Sequence, residues 1–198
     1  GSAEMINNLK RWCLWLENID QNDLKKMPGV KDKIEKVKIF RKNSDRKLTQ
    51  KTANTPYLFG EIRKPTKNYI GIPKVSSIRR KFLPVKFIDK ETIPNGSLAF
   101  INGQDKFVFG ILSSSIYSVW LSCIGGKMKS DYQNSIKIVY NNLVIPENPD
   151  ENLKERIINL VDNILKIRDR LNDKSLANLY DPNTMPKDLL NAHNELDE

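Results

Sequence analysis

The run Tyr69-Ile70-Gly71-Ile72-Pro73 is the clearest of several short apolar segments that alternate with proline and glycine between residues 56 and 109. Short segments that are rich in aromatic and β-branched side chains and bounded by turn residues are typical of β-strands. Turn sequences such as Asn102-Gly103 favour hairpin connections between them. The sequence therefore predicts strands at 57–59, 69–73, 82–85, 98–101 and 107–109.

Helical patterns flank this strand-rich stretch. Between residues 110 and 124, apolar side chains recur at three- and four-residue spacing, which predicts one helix that ends at Gly125-Gly126. Residues 30–41 carry a similar stripe and predict another helix. The polar residues 41–56 predict a loop, whereas the apolar residues 136–140 predict a further strand.

The last fifty residues have a different pattern. Asn148 is a predicted helix cap with Pro149 in the first turn, and apolar residues then repeat at alternating spacings of four and three. This repeat predicts an amphipathic helix of about 22 residues. A short helix at 176–180 and another that begins at Pro186 follow it.

Together these patterns predict a strand-rich region with flanking helices, followed by a helical tail, with the boundary near Pro146–Pro149. We expect residues 1–147 to form a small, twisted, mixed or antiparallel sheet with packed helices, and residues 148–198 to form a C-terminal helical appendage that acts as a spacer. The three tryptophans, Trp12, Trp15 and Trp120, are predicted to belong to the core.

Positive charge is concentrated in the first three quarters of the chain. The whole chain has a net charge of +9, but residues 1–150 hold 26 Lys/Arg against 14 Asp/Glu, a net charge of +12. Residues 151–198 hold 7 Lys/Arg against 10 Asp/Glu, a net charge of −3. A basic region attracts polyanions, and each neutralised phosphate releases counterions. The charge therefore indicates a nucleic-acid partner, and the alternative is a basic domain whose charge serves only solubility.

No sequence motif predicts a catalytic centre. Gly125-Gly126-Lys127 follows a predicted helix and lacks the spacing of a phosphate-binding loop. Asp181-Pro182-Asn183 lacks the second proline and the aromatic residue of the amino-methyltransferase motif. The only histidine, His193, is predicted to be a surface or packing residue, so we expect no metal site and no catalytic residue in this chain.

The cysteines and the absence of long apolar runs bear on location. Cys13 and Cys123 lie far apart with apolar neighbours, which predicts two buried free thiols in a reducing compartment. No apolar run approaches the roughly 18 residues of a membrane span, and no signal peptide occurs. We therefore expect a cytoplasmic location without membrane association.

Several blocks of the chain carry a family resemblance. Residues 59–84 read Phe-Gly-Glu-Ile-Arg-Lys-Pro-Thr-Lys-Asn-Tyr-Ile-Gly-Ile-Pro-Lys-Val-Ser-Ser-Ile-Arg-Arg-Lys-Phe-Leu-Pro, and this block closely resembles the target-recognition domain of MmeI-like restriction–modification enzymes. Blocks at 109–121 and 126–142 agree with that family in order and spacing. The block at 176–186, with Ala192-His193, resembles the C-terminal helical piece of the family.

The resemblance implies an α+β fold related to that of type I specificity subunits. It also implies a sequence-specific recognition module for double-stranded DNA. It implies a bacterial parent polypeptide with an adenine-specific methyltransferase upstream, which uses S-adenosylmethionine and is often joined to an endonuclease. We expect no cofactor in this chain, whose partners are duplex DNA and the methyltransferase domain of the same polypeptide. An RNA-binding module and a protein scaffold that acts through the heptad tail are the alternatives.

The first candidate contact segment is residues 74–81, which combines four cations with two hydroxyls. Arginine can bind phosphate or fork onto the O6 and N7 atoms of guanine, and serine suits phosphate oxygens. We predict that Arg79 reads a base. Contacts with the DNA backbone are predicted for Lys74, Ser76, Ser77, Arg80 and Lys81.

The second candidate segment is residues 127–132. If it is extended, Lys127, Lys129 and Asp131 project to one side. Lysine donates to guanine and aspartate accepts from cytosine, so Lys129 and Asp131 are predicted to read one G·C pair, worth about 1–3 kcal/mol. A surface ion pair is the alternative reading. Tyr132 is predicted to read a base, and Lys127 and Ser135 to contact the backbone.

Overall fold

The computed structural model describes residues 1–146 and 148–198. Over these residues the chain forms nine α-helices and six short strands, with one 3-10 turn, Thr52–Asn54, and one turn of π-helix, Ile136–Tyr140. The helices are α1 (Ser2–Ile6), α2 (Gln21–Lys25), α3 (Pro28–Lys42), α4 (Lys47–Lys51), α5 (Lys106–Ser113), α6 (Ser115–Ile124), α7 (Glu151–Arg170), α8 (Leu176–Leu179) and α9 (Lys187–Asp197). The strands are β1 (Tyr69–Pro73), β2 (Val75–Ser76), β3 (Lys86–Ile88), β4 (Leu98–Asn102), β5 (Gly126–Met128) and β6 (Asp131–Gln133).

The strands form two small antiparallel sheets. The first sheet has the order β3-β1-β4, with Ile70 opposite Phe87. The second sheet has the order β2-β6-β5, with Ser76 opposite Tyr132. Only Lys74 separates β1 from β2, so the chain passes directly from one sheet into the other. The predicted α+β class with an antiparallel sheet is confirmed.

Helices cover both faces of the first sheet. Side chains of β1 alternate between two apolar clusters, since Tyr69 belongs to the first and Ile70 and Ile72 to the second, and all five residues of β1 are buried. Helix α7 contributes Ile164 to the first cluster and Val161 to the second. The C-terminal helices therefore complete the core around the sheet, which gives the segment that leads into the second sheet a rigid support.

Residue contacts divide the chain into two units. The first comprises residues 1–10 and 64–198 and holds both sheets and the C-terminal helices. The second comprises residues 11–63 and holds α2, α3 and α4. These two units are defined by contacts between residues, whereas the predicted boundary between 147 and 148 divides the chain into two consecutive segments. That boundary stays a prediction.

Within residues 11–63, Arg41 near the end of α3 forms hydrogen bonds with the segment that follows this helix. Its guanidinium donates to the carbonyl oxygens of Thr52 at 2.9 Å, Thr55 at 3.1 Å and Leu58 at 2.8 Å. The predicted loop over 41–56 is wrong for its second half, which forms α4 and the 3-10 turn. Lysine and glutamine are good helix formers, so a missing apolar stripe does not exclude a short helix.

Several predicted strands are wrong. Residues 107–109 lie in the first turns of α5, because the Asp105 carboxylate accepts hydrogen bonds from the backbone N–H groups of Phe107 at 2.8 Å and Val108 at 3.2 Å. Residues 136–140 form the π-helical turn, and residues 57–59 and 82–85 lie in no strand. A short apolar run does not by itself distinguish a strand from a buried helix.

The predicted single helix over 110–124 is divided at Ser114. This residue ends α5, and its Oγ accepts a hydrogen bond from Tyr117 N at 3.4 Å at the start of α6.

Among the described residues no single helix is long and apolar enough to cross a membrane, although the pair α5 and α6, bent by 61°, reaches that length and composition together. The long tail helix is confirmed over 20 residues, but Asp150 caps it instead of Asn148.

Some predictions of burial are also wrong. Trp12 is 91% exposed, and both Cys13 and Cys123 are exposed. Cys123 lies on the outer side of α6, since this helix buries Tyr117 and Leu121. Most side chains of the apolar stripe predicted for α6 therefore lie on the exposed face of this helix. Trp15 and Trp120 are partly buried.

Gly110 sets the close approach of α5 to α7. A Cβ at this position would lie 2.7 Å from Ile157 Cγ2 and 3.1 Å from Val161 Cγ2, both of them stiff branched side chains. We expect Gly110→Ala to lower the free energy of unfolding by about 1–3 kcal/mol, measured by urea denaturation.

The matched control for this substitution is Gly29→Ala. Gly29 lies in helix α3, and a methyl group added to its Cα would meet no other atom within 4 Å. Alanine is the better helix former by about 1 kcal/mol, so this variant should be neutral or more stable. Equal effects of the two substitutions would show that close packing at Gly110 does not matter.

Candidate nucleic-acid interface

The basic loop, residues 77–81, connects β2 to the buried residue Phe82. Its turn is closed by a hydrogen bond from Arg80 N to Ser77 O at 3.1 Å. Ser77 Oγ also accepts a hydrogen bond from Arg79 N at 3.4 Å. Because one end of the loop is paired in a sheet and the other is anchored in the core at 1% exposure, its position is fixed at both ends.

Arg80 lies in a shallow pocket beside the second sheet. Ser76, Ser77, Ser118 and Tyr132 line this pocket with it. The buried Nε atom of Arg80 has no hydrogen-bond partner among the described residues. A guanidinium that lines a pocket together with hydroxyl groups is suited to bind an anionic oxygen.

Burial and nearby carboxylates act on Arg80 in opposite directions. Burial lowers the pKa of the guanidinium, while Asp181 and Asp131 raise it. Arginine remains charged under such shifts because its pKa is normally above 12. The pocket therefore holds a partly desolvated positive charge, which favours contact with an anion.

The β5–β6 hairpin carries the second group of candidates. Lys129 and Ser130 form its two-residue turn, and Lys129 has a left-handed backbone with φ of 58°. Lys127 lies opposite Tyr132, and Met128 lies opposite Asp131. Paired residues share a sheet face and successive residues alternate, so Lys127 and Asp131 project to opposite faces. The expectation that Lys127, Lys129 and Asp131 project to one side of an extended segment is wrong, because the segment reverses at Lys129.

The hairpin is open to a partner. The side chains of Lys127 and Lys129 are exposed, and within residues 1–146 and 148–198 they form no hydrogen bond or ion pair. Asp131 and Tyr132 are partly buried. A two-stranded ribbon of this kind fits the major groove of B-form DNA.

Lys74 joins the two sheets. Its Nζ donates to Gly96 O at 2.7 Å, and its backbone oxygen accepts a hydrogen bond from Asn134 N at 2.8 Å. The Lys74 amine is therefore engaged in holding the turn before β4. Ser135 follows β6, and its carbonyl accepts from Val139 N at 2.7 Å at the start of the π-helical turn.

A buried polar pair joins α6 to the residue that follows β6. The Tyr117 hydroxyl on α6 donates to Asn134 Oδ1 at 3.0 Å, and both residues have no exposed surface. Burial raises the pKa of Tyr117 to about 12, which keeps the phenol a neutral donor. Sequence reasoning missed the pairing of these two residues, which lie on different elements.

Two contacts join the basic loop to the C-terminal helices. Arg79 Nη2 lies 3.7 Å from Asp181 Oδ1, and Lys81 Nζ donates to Asn194 Oδ1 at 2.7 Å. Sequence reasoning missed Asp181 and Asn194 as neighbours of the loop. Partners about a hundred residues apart carry no local pattern that could reveal them.

His193 packs against Phe82, the residue that follows the basic loop. Its ring stacks on Phe82 with 4.4 Å between the ring centroids, and its Nε2 is hydrogen-bonded to the Tyr180 hydroxyl at 2.9 Å. Burial and the Arg168 guanidinium lower the pKa of His193 to about 3. The ring is therefore neutral near pH 7 and acts as a packing residue between the C-terminal helices and the loop.

The eleven candidate residues lie on one part of the molecule. They belong to the second sheet, to the basic loop that leaves β2, or to the residues directly before β2 and after β6. Arg80 is partly buried and Ser76 is only 4% exposed, whereas the basic-loop and hairpin lysines are exposed. No group of three His, Cys, Asp or Glu side chains among the described residues could hold a metal ion.

Comparison with known proteins identifies the family of this chain. The model for the MmeI target recognition domain matches residues 1–147, and the model for the MmeI C-terminal domain matches residues 149–198. The chain belongs to the MmeI family.

Two relatives cover the whole chain. DNA methyltransferase A of Bacillus subtilis (strain 168) is 34% identical over 197 residues. The type IIL restriction–modification enzyme MmeI, solved in complex with DNA, is 40% identical and superposes with a TM-score of 0.96. The chain spans 22% of the length of the first relative and 26% of the second.

Proposed function

We propose that this chain recognises a specific sequence in double-stranded DNA. The observation that carries the proposal is the grouping of the basic loop and the β5–β6 hairpin on one sheet, in a chain with a net charge of +9. The family match and the DNA complex of the similar MmeI enzyme support it. Phosphate contacts would supply affinity and orientation, and base contacts from the hairpin would supply specificity.

The roles of individual residues follow from their positions. Lys129, Asp131, Arg79 and Tyr132 would read bases, because the first three reach the surface at the hairpin turn or the loop and Tyr132 lines the Arg80 pocket. Backbone contacts would come from Lys74, Ser76, Ser77, Arg80, Lys81, Lys127 and Ser135. Lys127 is the strongest candidate for a phosphate contact because its side chain is exposed. The amine of Lys74 is hydrogen-bonded to Gly96 O and Ser76 is only 4% exposed, so these two residues would mainly stabilise the sheet.

The larger polypeptide that carries such a chain would be a DNA methyltransferase. Because the chain spans 22% of DNA methyltransferase A, a separate domain would bind S-adenosylmethionine and flip the target adenine out of the helix. An endonuclease in the same polypeptide and a cytoplasmic location belong to the same proposal. In it, residues 1–147 read DNA and residues 148–198 act as the C-terminal helical domain.

The two alternatives have less support. An RNA-binding sheet needs several exposed aromatic residues, but among the aromatic residues of the described strands Tyr69 is buried and Phe87, Phe100 and Tyr132 are only partly exposed. A scaffold acting through the heptad tail needs an available apolar stripe, but Val161, Ile164 and Ile167 of α7 are buried within the chain itself.

Replacing Arg80 tests the proposal at its best-formed pocket. We expect Arg80→Ala to weaken binding of the 198-residue chain to mixed-sequence duplexes by about 5–10-fold, because one charge-assisted phosphate contact is worth about 1 kcal/mol. The slope of log affinity against log salt should fall by about 1. Fluorescence anisotropy with a labelled duplex measures both quantities.

The charge-matched control is Arg170→Ala, since Arg170 is exposed on α7 and pairs with Asp188 on α9. It should change binding little. Arg80→Lys keeps the charge without the planar fork and should give an intermediate affinity. The proposed role of the pocket would be wrong if Arg80→Ala and Arg170→Ala bound duplex equally well while both kept the native melting temperature.

A further inference from the structure

The basic loop faces one carboxylate that the proposed DNA contacts do not use. Asp181 Oδ1 lies 3.7 Å from Arg79 Nη2, and its charge also acts on Arg80, whose pKa it raises. Asp181 thus pairs with Arg79 and acts electrostatically on the neighbouring Arg80. It comes from the acidic C-terminal part of the chain, residues 151–198, whose net charge is −3.

The Asp181 carboxylate is held in place by its own turn. Asp181 Oδ1 accepts a hydrogen bond from Asn183 N at 2.9 Å, and its carbonyl accepts from Met185 N at 2.8 Å. The turn lies between α8 and α9, which are packed in the core. The carboxylate is therefore fixed, whereas the arginine opposite it is a long side chain on a surface loop.

The Arg79–Asp181 pair remains accessible to solvent. The exposed fractions of the two side chains are 58% and 38%, so a phosphate can approach the arginine without any rearrangement of the core. Exposed ion pairs are weak, and a polyanion with many phosphates can displace the carboxylate. Asp181 and a DNA phosphate would therefore compete for the same guanidinium.

We propose that Asp181 competes with DNA for Arg79 and so lowers the affinity of the chain for duplex DNA. The inference rests on the proposed function. The Arg79–Asp181 pair has to open in every complex in which Arg79 contacts DNA, whether the contact is a phosphate or a base edge. Loss of the competitor therefore strengthens binding to target and non-target duplexes alike.

Neutralising Asp181 tests this inference. In the 198-residue chain, Asp181→Asn keeps an oxygen for Asn183 N but removes the charge. We expect binding to a mixed-sequence duplex to become about 2–5-fold tighter, and the salt dependence to become steeper by up to about one phosphate equivalent. In selection from a randomised duplex pool, the preferred sequences should stay the same, because the pair opens in every complex.

Asp188→Asn is the matched control. Asp188 also pairs with an arginine, Arg170 at 3.3 Å, but this arginine lies on α7 and not in the basic loop. Each substitution removes one negative charge, so any effect of net charge alone is the same. Asp181→Glu keeps a carboxylate at this position, so this variant should bind duplex DNA with the affinity of the unmodified chain.

The outcomes separate this inference from the proposed function. Tighter duplex binding by Asp181→Asn alone, with unchanged preferred sequences, supports the inference. If Asp181→Asn matches Asp188→Asn, or binds duplex less tightly because the loop is disordered, Asp181 is not a competitor, while duplex binding by the unmodified chain still stands. If the unmodified chain fails to bind duplex DNA at all, both proposals are overturned.

Discussion

Inverting the charges of Lys129 and Asp131 is expected to change one position of the recognised DNA sequence and leave the others unchanged. Both residues adjoin the turn of the β5–β6 hairpin, where Lys129 is exposed and Asp131 partly exposed. In the proposed complex the lysine donates to guanine and the aspartate accepts from cytosine. The double substitution Lys129→Asp with Asp131→Lys exchanges donor and acceptor, so it should favour the inverted base pair.

The expected size of this effect is large. A good pair of contacts discriminates between base pairs by about 1–3 kcal/mol, which corresponds to a factor of about 5–150. In the proposed methyltransferase polypeptide, sequencing of methylated DNA would show the altered position. In the 198-residue chain, sequencing of duplexes selected from a randomised pool provides the same information.

Two controls define what the hairpin side chains contribute. Lys129→Gly removes the amine but suits the left-handed backbone at φ of 58°, so it should relax the preference at one position without unfolding the turn. Lys127→Ala removes another exposed lysine of the hairpin and should weaken binding to all sequences alike. An unchanged recognition sequence in the charge-inverted variant would contradict the assignment of Lys129 and Asp131 as base readers.

His193 is expected to make the stability of the chain depend on pH below neutrality. Burial and Arg168 lower its pKa to about 3, against 6.5 for an unperturbed histidine, with Lys81 adding to the shift and the Ser113 backbone opposing it. Between these two values the unfolded chain binds a proton that the folded chain excludes. Stability therefore falls as pH drops below about 6.5, by about 2 kcal/mol at pH 5.

A non-titrating variant isolates this contribution. His193→Gln should be less stable at every pH, because the stacking on Phe82 is lost. Its loss of unfolding free energy between pH 7.5 and pH 5 should be smaller than that of the unmodified chain by about 2 kcal/mol. Urea denaturation at the two pH values measures the difference. Equal losses in the two proteins would mean that His193 is not excluded from protonation in the folded state.

The fold class was predictable because it rests on strong local patterns. The β-branched run of β1 and the regular apolar repeat of α7 specify their elements without tertiary information. The residues at 107–109 were not predictable in this way, because an apolar run suits a strand or a helix and the cap at Asp105 decides between them. The outer face of α6 also misled the prediction, since Ile116 and Val119 are exposed although they are apolar.

The candidate site was predictable in composition but not in geometry. Basic and hydroxyl residues at 74–81 and 127–135 mark the two segments in the sequence. The reversal of the chain at Lys129 depends on pairing of β6 with both β5 and β2, which is a non-local interaction. The neighbours of the basic loop in the C-terminal part, Asp181 and Asn194, depend on how the whole chain packs.

The most direct test of the central claim is a competition between nucleic acids for the 198-residue chain. The chain is bound to a labelled mixed-sequence duplex at low salt, and unlabelled duplex DNA or single-stranded RNA is added over a range of salt concentrations. Recognition through the basic loop and the hairpin predicts that duplex DNA competes more strongly than RNA, with affinity that falls steeply as salt rises. Stronger competition by single-stranded RNA, or binding that does not respond to salt, would contradict it.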